Sequence, residues 1–318
     1  MTSLITGGAG CIGSELVGEL IREGTKCVVY DNFSSGKHEH LQPLADSPLL
    51  RVVEGDVLDL ESLISVMHGV DWVWHFAANP DVRYNCGDPT DKDLRQNTLG
   101  TYNVLESMRL EGVKNLAFAS TSAVYGISAT LPIPEHHPLA PISLYGASKA
   151  ACEALISSFG HLFGFRCRIF RLANIVGGKT RKFGTTVISD FIRKLQQDPH
   201  RLHILGNGRQ TKSYLHVSDC ISAMLFAACG SSEAFAVYNV GPSDSTTVNT
   251  IADIVAAEMN LGPVDYSYTG TEGGWPGDVP SFELDVSALD DLGWQAQHTS
   301  LEAVTMAVRE MLNKTATQ

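Results

Sequence analysis

The sequence is short of positive charge and has no basic run to make up for the shortage. Its 318 residues include 23 Lys and Arg against 35 Asp and Glu, for a net charge of -12. A protein that binds nucleic acid through phosphate contacts concentrates Lys and Arg on one face or in one segment. The composition therefore argues against a nucleic-acid partner, and an anionic small molecule would need local basic contacts.

Long apolar runs are also missing. No stretch approaches the roughly 20 apolar residues that span a membrane. The first ten residues, MTSLITGGAG, have neither the charged segment nor the apolar segment of a signal peptide. We therefore expect no membrane partner and a cytoplasmic location.

Close cysteine pairs are the third absence. The 7 cysteines, at positions 11, 27, 86, 152, 167, 220 and 229, form no CxxC pair. Scattered thiols in odd number fit a reduced, intracellular protein better than a disulfide framework or a zinc centre. The histidines show no ligand spacing either, so we expect no metal site.

What the chain does have is a regular alternation of short apolar runs with helical patterns. Runs rich in Val, Ile and aromatic residues predict strands at 3–6, 26–30, 51–55, 72–77, 115–120 and 167–173. Helical patterns occupy 13–23, 59–68, 92–111 and 144–163. This alternation predicts an α/β fold, a doubly wound parallel sheet covered by helices on both faces.

The pattern becomes less regular after about residue 174, which predicts a second, smaller domain. Helices are expected at 185–197, 218–229, 247–260 and 300–313, with loops between them. The run at 236–241 resembles a strand that returns to the first sheet. We assign 1–173, with a returning segment of about 211–241, to the first domain, and 174–210 with 242–318 to the second.

A glycine-rich turn follows the first strand. In TGGAGCIG, residues 6–13, Gly8, Gly10 and Gly13 satisfy GxGxxG, and Gly7, Gly10 and Gly13 satisfy GxxGxxG. Such glycines let the backbone approach a pyrophosphate at a helix N-terminus, where free N–H groups and the helix dipole favour an anion. Glycine-rich turns are common, so the pattern alone is weak evidence.

Asp31 strengthens the dinucleotide interpretation. It ends the second strand, 18 residues after Gly13, where a carboxylate accepts from the adenosine ribose hydroxyls. The alternative is a strand-end cap. Because an acid would repel a 2′-phosphate, we expect NAD rather than NADP.

Tyr145 and Lys149, in YGASK, lie one helical turn apart on one face of a predicted helix. Taken alone, the pair would be read as an amphipathic surface feature. With the glycine turn, STSAVYG (120–126) and YGASK identify a resemblance that spans nearly the whole chain. The sequence resembles the extended short-chain dehydrogenase/reductases, in the group of NAD-dependent nucleotide-sugar epimerases and dehydratases typified by UDP-glucose 4-epimerase.

Further segments that carry the resemblance are GDV (55–57), HFAA (75–78), NTLGTYNVLE (97–106), RLANIVG (171–177), KSYLHVSD (212–219) and WPGD (275–278). The family implies a Rossmann-type sheet with a smaller C-terminal α/β substrate domain, NAD as cofactor, a nucleotide-sugar substrate and a homodimer.

The resemblance also implies residue roles by position. Tyr145 would be the catalytic acid/base, Lys149 its partner, and Thr121 the hydroxyl that bonds the reacting sugar. The cofactor contacts would be Gly7, Gly10, Cys11, Ile12, Gly13, Asp31, Asn32, Ser35, Gly36, Asp56, Val57, Phe76, Ala77, Ala78, Asn97, Ser120, Tyr145 and Lys149. The substrate contacts would be Arg83, Thr121, Tyr145, Asn174, Arg209, Lys212 and Asp278.

The chemistry of a phenol supports a role for the lysine. A tyrosine has an ordinary pKa of about 10, too high for a base at neutral pH. We expect Lys149 and the oxidised nicotinamide, both cationic, to lower the pKa of Tyr145. Thr121 would hold the sugar hydroxyl in line while Tyr145 removes its proton.

The chain departs from the family at several positions. Dehydratases and decarboxylases of the group carry acids directly after the catalytic Ser/Thr, where this chain has Ser122 and Ala123. Lys212 and Trp275 replace arginines, which removes bidentate contacts to a diphosphate. Arg209, Arg181 and Lys179 are candidates to compensate, with solvated surface charges as the alternative.

Arg83 follows the HFAA segment and is a candidate contact for a substrate carboxylate or phosphate. A structural ion pair with Asp81, Asp88 or Asp91 is an equal alternative.

The sequence favours a 4-epimerase acting on a UDP-hexose. The alternatives are a UDP-glucuronate 4-epimerase, a dehydratase or decarboxylase and, more remotely, a non-catalytic dinucleotide sensor.

Overall fold

A seven-stranded parallel sheet with helices on both faces organises the computed structural model, which describes residues 1–83, 89–178, 186–275 and 277–315. The strands are β1 (Thr2–Thr6), β2 (Lys26–Asp31), β3 (Leu50–Glu54), β4 (Trp72–His75), β5 (Asn115–Thr121), β6 (Arg166–Leu172), β7 (Asn174–Val176), β8 (Arg201–Ile204), β9 (Thr211–Lys212), β10 (Tyr214–His216), β11 (Phe235–Val240), β12 (Thr246–Thr247), β13 (Asp265–Tyr268) and β14 (Ser281–Phe282).

The helices are α1 (Cys11–Arg22), α2 (His38–Leu41), α3 (Leu60–Met67), α4 (Gly100–Glu111), α5 (Leu144–Phe163), α6 (Val187–Gln197), α7 (Val217–Gly230), α8 (Val248–Glu258), α9 (Ser287–Leu292) and α10 (Ser300–Thr315). Short 3₁₀ turns cover Gln42–Leu44 and Ser122–Val124, and a π-helix covers Leu94–Leu99. No helix among the described residues is long and apolar enough to cross a membrane.

The strand order of the main sheet is β11-β6-β5-β4-β1-β2-β3, with every pairing parallel. The predicted doubly wound α/β fold is therefore confirmed. The order reverses between β1 and β4, and ligands of open α/β sheets bind at such a point, beyond the carboxyl ends of the strands. All the carboxyl ends lie at the same edge, which brings residues distant in sequence together.

Two apolar layers explain why the strands read as continuous apolar runs. Ile5 and Val29 belong to one buried cluster, with residues of α1 and α7. Leu4 and Val28 belong to the other, with residues of α3, α4 and α5. Since successive strand residues point to opposite faces, each strand needs apolar residues at every position.

Two predicted elements differ in detail from those observed. The helix expected over 92–111 begins as the π-helix and continues as α4. A π turn contains an extra residue and is frequent at functional sites. The expected returning strand is β11, which pairs with β6.

The C-terminal region has its own buried cluster, formed by residues of α6, α8 and α10. Several of its strands have two or three residues, too few to show a period of two. Within the predicted returning segment of about 211–241, α7 and β11 pack into the main sheet, whereas β9 and β10 pair with short strands. The division into two domains stays a prediction. Lys179, Arg181 and Pro276 lie outside the described residues.

Candidate active site

The glycine turn between β1 and α1 has no room for side chains. Gly7 has a left-handed φ of +69°, and a Cβ there would lie 2.6 Å from the Ala77 nitrogen. A Cβ on Gly13 would lie 2.4 Å from the Gly7 carbonyl oxygen. The Gly10 N–H donates to that same carbonyl at 3.0 Å, and α1 begins at Cys11. The turn thus opens the helix N-terminus to an anionic group, as a pyrophosphate site requires.

Asp31 is held against this turn. One of its carboxylate oxygens accepts from the Ala9 N–H at 2.9 Å, and the other accepts from the Phe33 N–H at 2.9 Å. Each oxygen keeps a second lone pair for a ribose hydroxyl. Asp31 is therefore both a strand-end cap and a placed acceptor, so the two interpretations of the sequence are compatible.

The segment after Asp31 folds back over the turn. A Cβ on Gly36 would lie 2.9 Å from the Asp31 carboxylate, and the Lys37 N–H donates to the Ala9 carbonyl at 3.1 Å. The Asn32 amide donates to Asp56 at 3.0 Å. These contacts bring Asn32, Gly36 and Asp56 together at one end of this edge, where the adenosine was predicted. Ser35 and Val57 are their neighbours in the chain.

The other side of the turn carries the HFAA segment. The Phe76 N–H donates to the Thr6 carbonyl at 3.0 Å, which continues the β1–β4 pairing past the strand end and brings Ala77, the residue before Ala78, beside Gly7. Asn97, in the π-helix, accepts from the Asn79 N–H at 2.7 Å and donates to the Ser148 hydroxyl at 2.8 Å. Asn97 thereby ties this segment to α5.

Tyr145 lies in the first turn of α5, because Ser143 caps the helix by accepting from the Gly146 N–H at 3.0 Å. Its hydroxyl faces the side chain of Thr121, the last residue of β5, and this neighbour favours the ionised phenol. Lys149 is 2% exposed; its ammonium donates to the Ala119 carbonyl at 2.8 Å and lies 4.6 Å from the centre of the Phe118 ring. The predicted catalytic residues are thus brought together.

The electrostatics of this group differ from the prediction. Burial raises the pKa of Tyr145 to about 12, aided by Asp93 and Cys152 and opposed by the bond to Thr121. Burial lowers the pKa of Lys149 to about 8. Lys149 is not among the groups that shift the pKa of Tyr145, because an amine with a pKa of about 8 is already neutral at the pH where a phenol with a pKa of about 12 ionises. The expectation that the lysine lowers the phenol pKa is therefore wrong for the polypeptide alone.

Sequence reasoning missed two carboxylates in this region. Asp93 accepts from the side-chain amides of Asn79 at 2.9 Å and Asn97 at 3.3 Å. Glu153 forms a buried ion pair with Arg171 at 2.7 Å. Spacing alone could have indicated both, since Asp93 precedes Asn97 by one helical turn and Glu153 follows Lys149 by one.

Ser120, a predicted cofactor contact, directs its hydroxyl away from the edge. The hydroxyl donates to Glu153 at 2.5 Å and the residue is 3% exposed. Any cofactor contact at this position would involve the main chain.

At the predicted substrate end, two residues assigned separately to the nucleotide-sugar form a pair. The Lys212 ammonium contacts the Asp278 carboxylate, whose other oxygen accepts from the Gly274 N–H at 2.8 Å. Arg209 is exposed, and Asn174 begins β7. The structure therefore groups Lys212 with Asp278 but shows no contact that joins Arg209 to them.

Arg83 lies near Tyr145, in the lining of a small cavity of about 20 Å³ that also includes Asn79 and Asp93. Its backbone N–H donates to Asp81 at 3.0 Å, while Asp91 pairs with Arg95 at 3.6 Å. Asp88, another suggested partner, lies outside the described residues.

Within the described part of the chain, no cluster of three or more His, Cys, Asp or Glu is placed to hold a metal ion.

The fold and this edge of the sheet define the class of protein, a doubly wound α/β enzyme built to bind a dinucleotide. A family model described as the NAD dependent epimerase/dehydratase family matches residues 3–241, and the chain belongs to this family. The predicted family and NAD dependence are thereby confirmed.

Similar proteins narrow the activity only in part. A putative UDP-glucose 4-epimerase from Methanocaldococcus jannaschii is 33% identical, with 99% of each chain covered. A crystal structure of a UDP-galactose 4-epimerase is 38% identical, with 99% of each chain covered and a TM-score of 0.87. A dTDP-glucose 4,6-dehydratase from Mycolicibacterium smegmatis is 30% identical, over 95% of this chain and 90% of the relative.

Proposed function

We propose that the protein is an NAD-dependent nucleotide-sugar 4-epimerase of the UDP-glucose/UDP-galactose type. The proposal rests on two features of the site. The hydroxyls of Thr121 and Tyr145 face each other, and the two residues after Thr121 are Ser122 and Ala123 rather than acids. The pair supplies one group to orient a sugar hydroxyl and one to move its proton. Dehydration needs a further acid, and neither residue after Thr121 provides one.

In this mechanism the Thr121 hydroxyl holds the 4-hydroxyl of the sugar beside the Tyr145 oxygen, which removes its proton as C4 is oxidised. Bound NAD would supply the acceptor and donor of the C4 hydride, and its oxidised form would add a positive charge beside the phenol. Tyr145 then returns the proton after the 4-keto sugar has turned over. Lys149, held by Ala119, remains one helical turn away to bind the nicotinamide ribose.

The residues around the glycine turn support NAD over NADP. A 2′-phosphate would meet the Asp31 carboxylate, which is buried and fixed by two backbone N–H groups. Like charges that meet in a poorly solvated site repel strongly. The roles of the predicted cofactor contacts are part of this proposal.

We assign the nucleotide-sugar to Asn174, Arg209, Lys212 and Asp278, with Arg83 near the sugar. Lys212 neutralises a phosphate as a point charge, in place of the bidentate contact that an arginine makes. Its pairing with Asp278 means that a diphosphate competes with a carboxylate for this ammonium. The names of the similar proteins support a UDP-hexose as substrate. A UDP-hexuronate is the alternative, because Arg83 could bind its carboxylate.

A dehydratase or decarboxylase is the second candidate, and Asp93 is the observation that favours it. Asp93 contributes to the raised pKa of Tyr145 and lines the same small cavity. One oxygen of its carboxylate already accepts from two amides, which fits a structural role better than a proton shuttle.

The products decide between these candidates. Purified protein is incubated separately with UDP-glucose, UDP-galactose and UDP-glucuronate, and products are analysed by mass spectrometry and NMR. We expect a C4 epimer of unchanged mass. A dominant product lighter by one water or by carbon dioxide would contradict the proposal.

We further propose that the enzyme works in the cytoplasm as a homodimer. Scattered thiols without close pairs support the location, and apolar side chains exposed along α4 and α5 support the dimer.

A further inference from the structure

Three consecutive residues at the end of β5 contact three residues of α5 that are one helical turn apart. Because positions 145, 149 and 153 share a helix face, each meets one residue of the strand. The Tyr145 hydroxyl faces the Thr121 side chain, which favours the ionised phenol. The Lys149 ammonium donates to the Ala119 carbonyl at 2.8 Å, and the Ser120 hydroxyl donates to the Glu153 carboxylate at 2.5 Å. The first two involve the catalytic pair, and the third has no role in the proposed chemistry.

The third contact is built around a buried charge. Glu153 and Arg171 have side chains only 6% and 7% exposed. The guanidinium donates to both carboxylate oxygens, from Nε at 3.1 Å and from an Nη at 2.7 Å. Arg171 lies directly opposite Ser120 in the β5–β6 pairing, so strand register sets the position of the pair.

Arg171 is itself fixed from the opposite side. It donates to the Tyr125 hydroxyl at 2.9 Å and to the Glu135 carbonyl at 2.7 Å. The Tyr125 hydroxyl donates in turn to Asn239, in β11, at 2.6 Å. A buried ion pair is stable only when its remaining donors and acceptors are satisfied, and here they are satisfied by elements on both sides.

We propose that Glu153 is a positioning residue which, braced by Arg171, holds the Tyr145–Lys149 face of α5 in register with Thr121. The inference rests on the proposed function, because that function makes Tyr145 the group that moves the proton. Glu153 touches neither reacting atoms nor cofactor in this scheme; it acts through Ser120 and through the charge of Lys149.

The negative charge of Glu153 raises the pKa of Lys149. Burial lowers the pKa of Lys149 to about 8, while Cys152, Glu153 and Asp93 oppose that change. The other titratable groups beside it are Tyr145 on the same helix and His75 on β4, and burial lowers the pKa of His75 to about 3, which leaves it neutral. Asp93 is partly exposed and so better screened than Glu153. Without the Glu153 charge, the pKa of Lys149 would fall further.

Glu153→Gln tests the proposal, because the amide keeps the shape and can still accept from Ser120 but carries no charge. The alkaline limb of kcat/KM for the C4 epimerisation should move to lower pH by about one unit. Measurements run from pH 6 to 10, after bound NAD and thermal stability have been recorded.

Thermal unfolding supplies a readout that is independent of turnover. The folded-state pKa of Lys149 is below its ordinary 10.5, so the unfolded chain binds more protons between the two values and stability rises with pH there. In Glu153→Gln this rise begins at lower pH. The difference in Tm between wild type and variant should therefore narrow from pH 7 to 9, whereas loss of a hydrogen bond alone would leave it constant.

Two further variants serve as controls. Glu153→Asp keeps the charge, so its alkaline limb of kcat/KM should lie at the wild-type pH even if its Tm is lower. Glu258→Gln breaks an ion pair with Arg309, at 2.7 Å on the surface, and should leave the pH profile unchanged. If Glu153→Gln does not fold, Glu153→Gln/Arg171→Gln replaces it, because that variant leaves neither charge unpaired. Arg171 is not among the groups that shift Lys149, so the limb should still move.

Two results would overturn the positioning role. In one, folded Glu153→Gln has the alkaline limb of the wild type and a Tm difference from wild type that is constant between pH 7 and 9. In the other, the alkaline limb of Glu153→Asp moves as far as that of Glu153→Gln. The proposed function fails separately, if the wild-type protein yields no C4 epimer. The Tm difference would then still test the link between Glu153 and Lys149.

Discussion

The environment of a single phenol sets the chemistry of the site. The polypeptide raises the pKa of Tyr145 to about 12 and gives its hydroxyl a partner in Thr121. Tyr145 is therefore a protonated donor at neutral pH until another positive charge arrives. The sequence identified Tyr145 and Thr121, but the pKa of Tyr145 depends chiefly on burial, which spacing does not reveal.

Replacing Tyr145 by Phe removes the hydroxyl and keeps the ring. We expect turnover to fall by about 10²-fold or more, while Tm changes little because one hydrogen bond contributes only about 1 kcal/mol. Tyr238→Phe, at a core tyrosine stacked on Phe170, is the matched control and should retain activity. Kinetics that match the wild type in Tyr145→Phe would show that another group moves the proton.

Elements that follow a clear period were predictable, and those set by tertiary contacts were not. Leu144–Phe163 was predicted with its observed bounds. The structure shows Ser143 capping its start and a left-handed Gly164 following its end, both residue types that mark helix ends. The π-helix over Leu94–Leu99 and two-residue strands such as β9 and β12 leave no periodic signal. Spacing places Asp93 and Glu153 one helical turn from Asn97 and Lys149, but it does not show that Glu153 is buried or which partners the two carboxylates have.

Helix α1 offers a test of the cofactor turn at the scale of an element. Gly13→Ala places a methyl group 2.4 Å from the Gly7 carbonyl oxygen, whereas the nearest atom to a Cβ on Gly18 is 3.9 Å away. We expect the wild type to purify with NAD. Gly13→Ala should lose NAD and about 1–3 kcal/mol of unfolding free energy through overpacking.

The control, Gly18→Ala, should keep NAD and gain about 0.5–1 kcal/mol from helix propensity. Bound dinucleotide is measured by chromatography after acid denaturation, and stability by thermal unfolding. NAD retained at the wild-type level in Gly13→Ala would contradict this assignment of the turn.

At the scale of the whole molecule, the helices α4 and α5 expose more apolar surface than a monomer needs. Tyr102 and Leu110 on α4 are 40% and 49% exposed, and Leu162 and Phe163 on α5 are 69% and 37% exposed. Two neighbouring helices with such side chains form a patch that a second copy could cover. A four-helix interface would bury it.

Tyr102→Glu should therefore convert a dimer into a monomer. Phe226→Glu, on α7 and also 40% exposed, introduces the same charge on another face and should remain dimeric. Light scattering at micromolar concentration measures both masses. A monomeric wild type, or loss of the dimer in Phe226→Glu alone, would rule out this interface.

The pairing of β11 with β6 also has a consequence for the order of assembly during synthesis. Phe235–Val240 leaves the ribosome long after Arg166–Leu172, the strand it pairs with, and a nascent chain folds only with what has emerged. Until β11 has emerged, the Tyr125 hydroxyl lacks its hydrogen bond to Asn239. The Arg168 guanidinium likewise lacks its acceptor, the Ser231 carbonyl, until that part of the chain has been made. Helix α5 can form early, but the ion pair between Glu153 and Arg171 has all its supporting bonds only when about three quarters of the chain has been made.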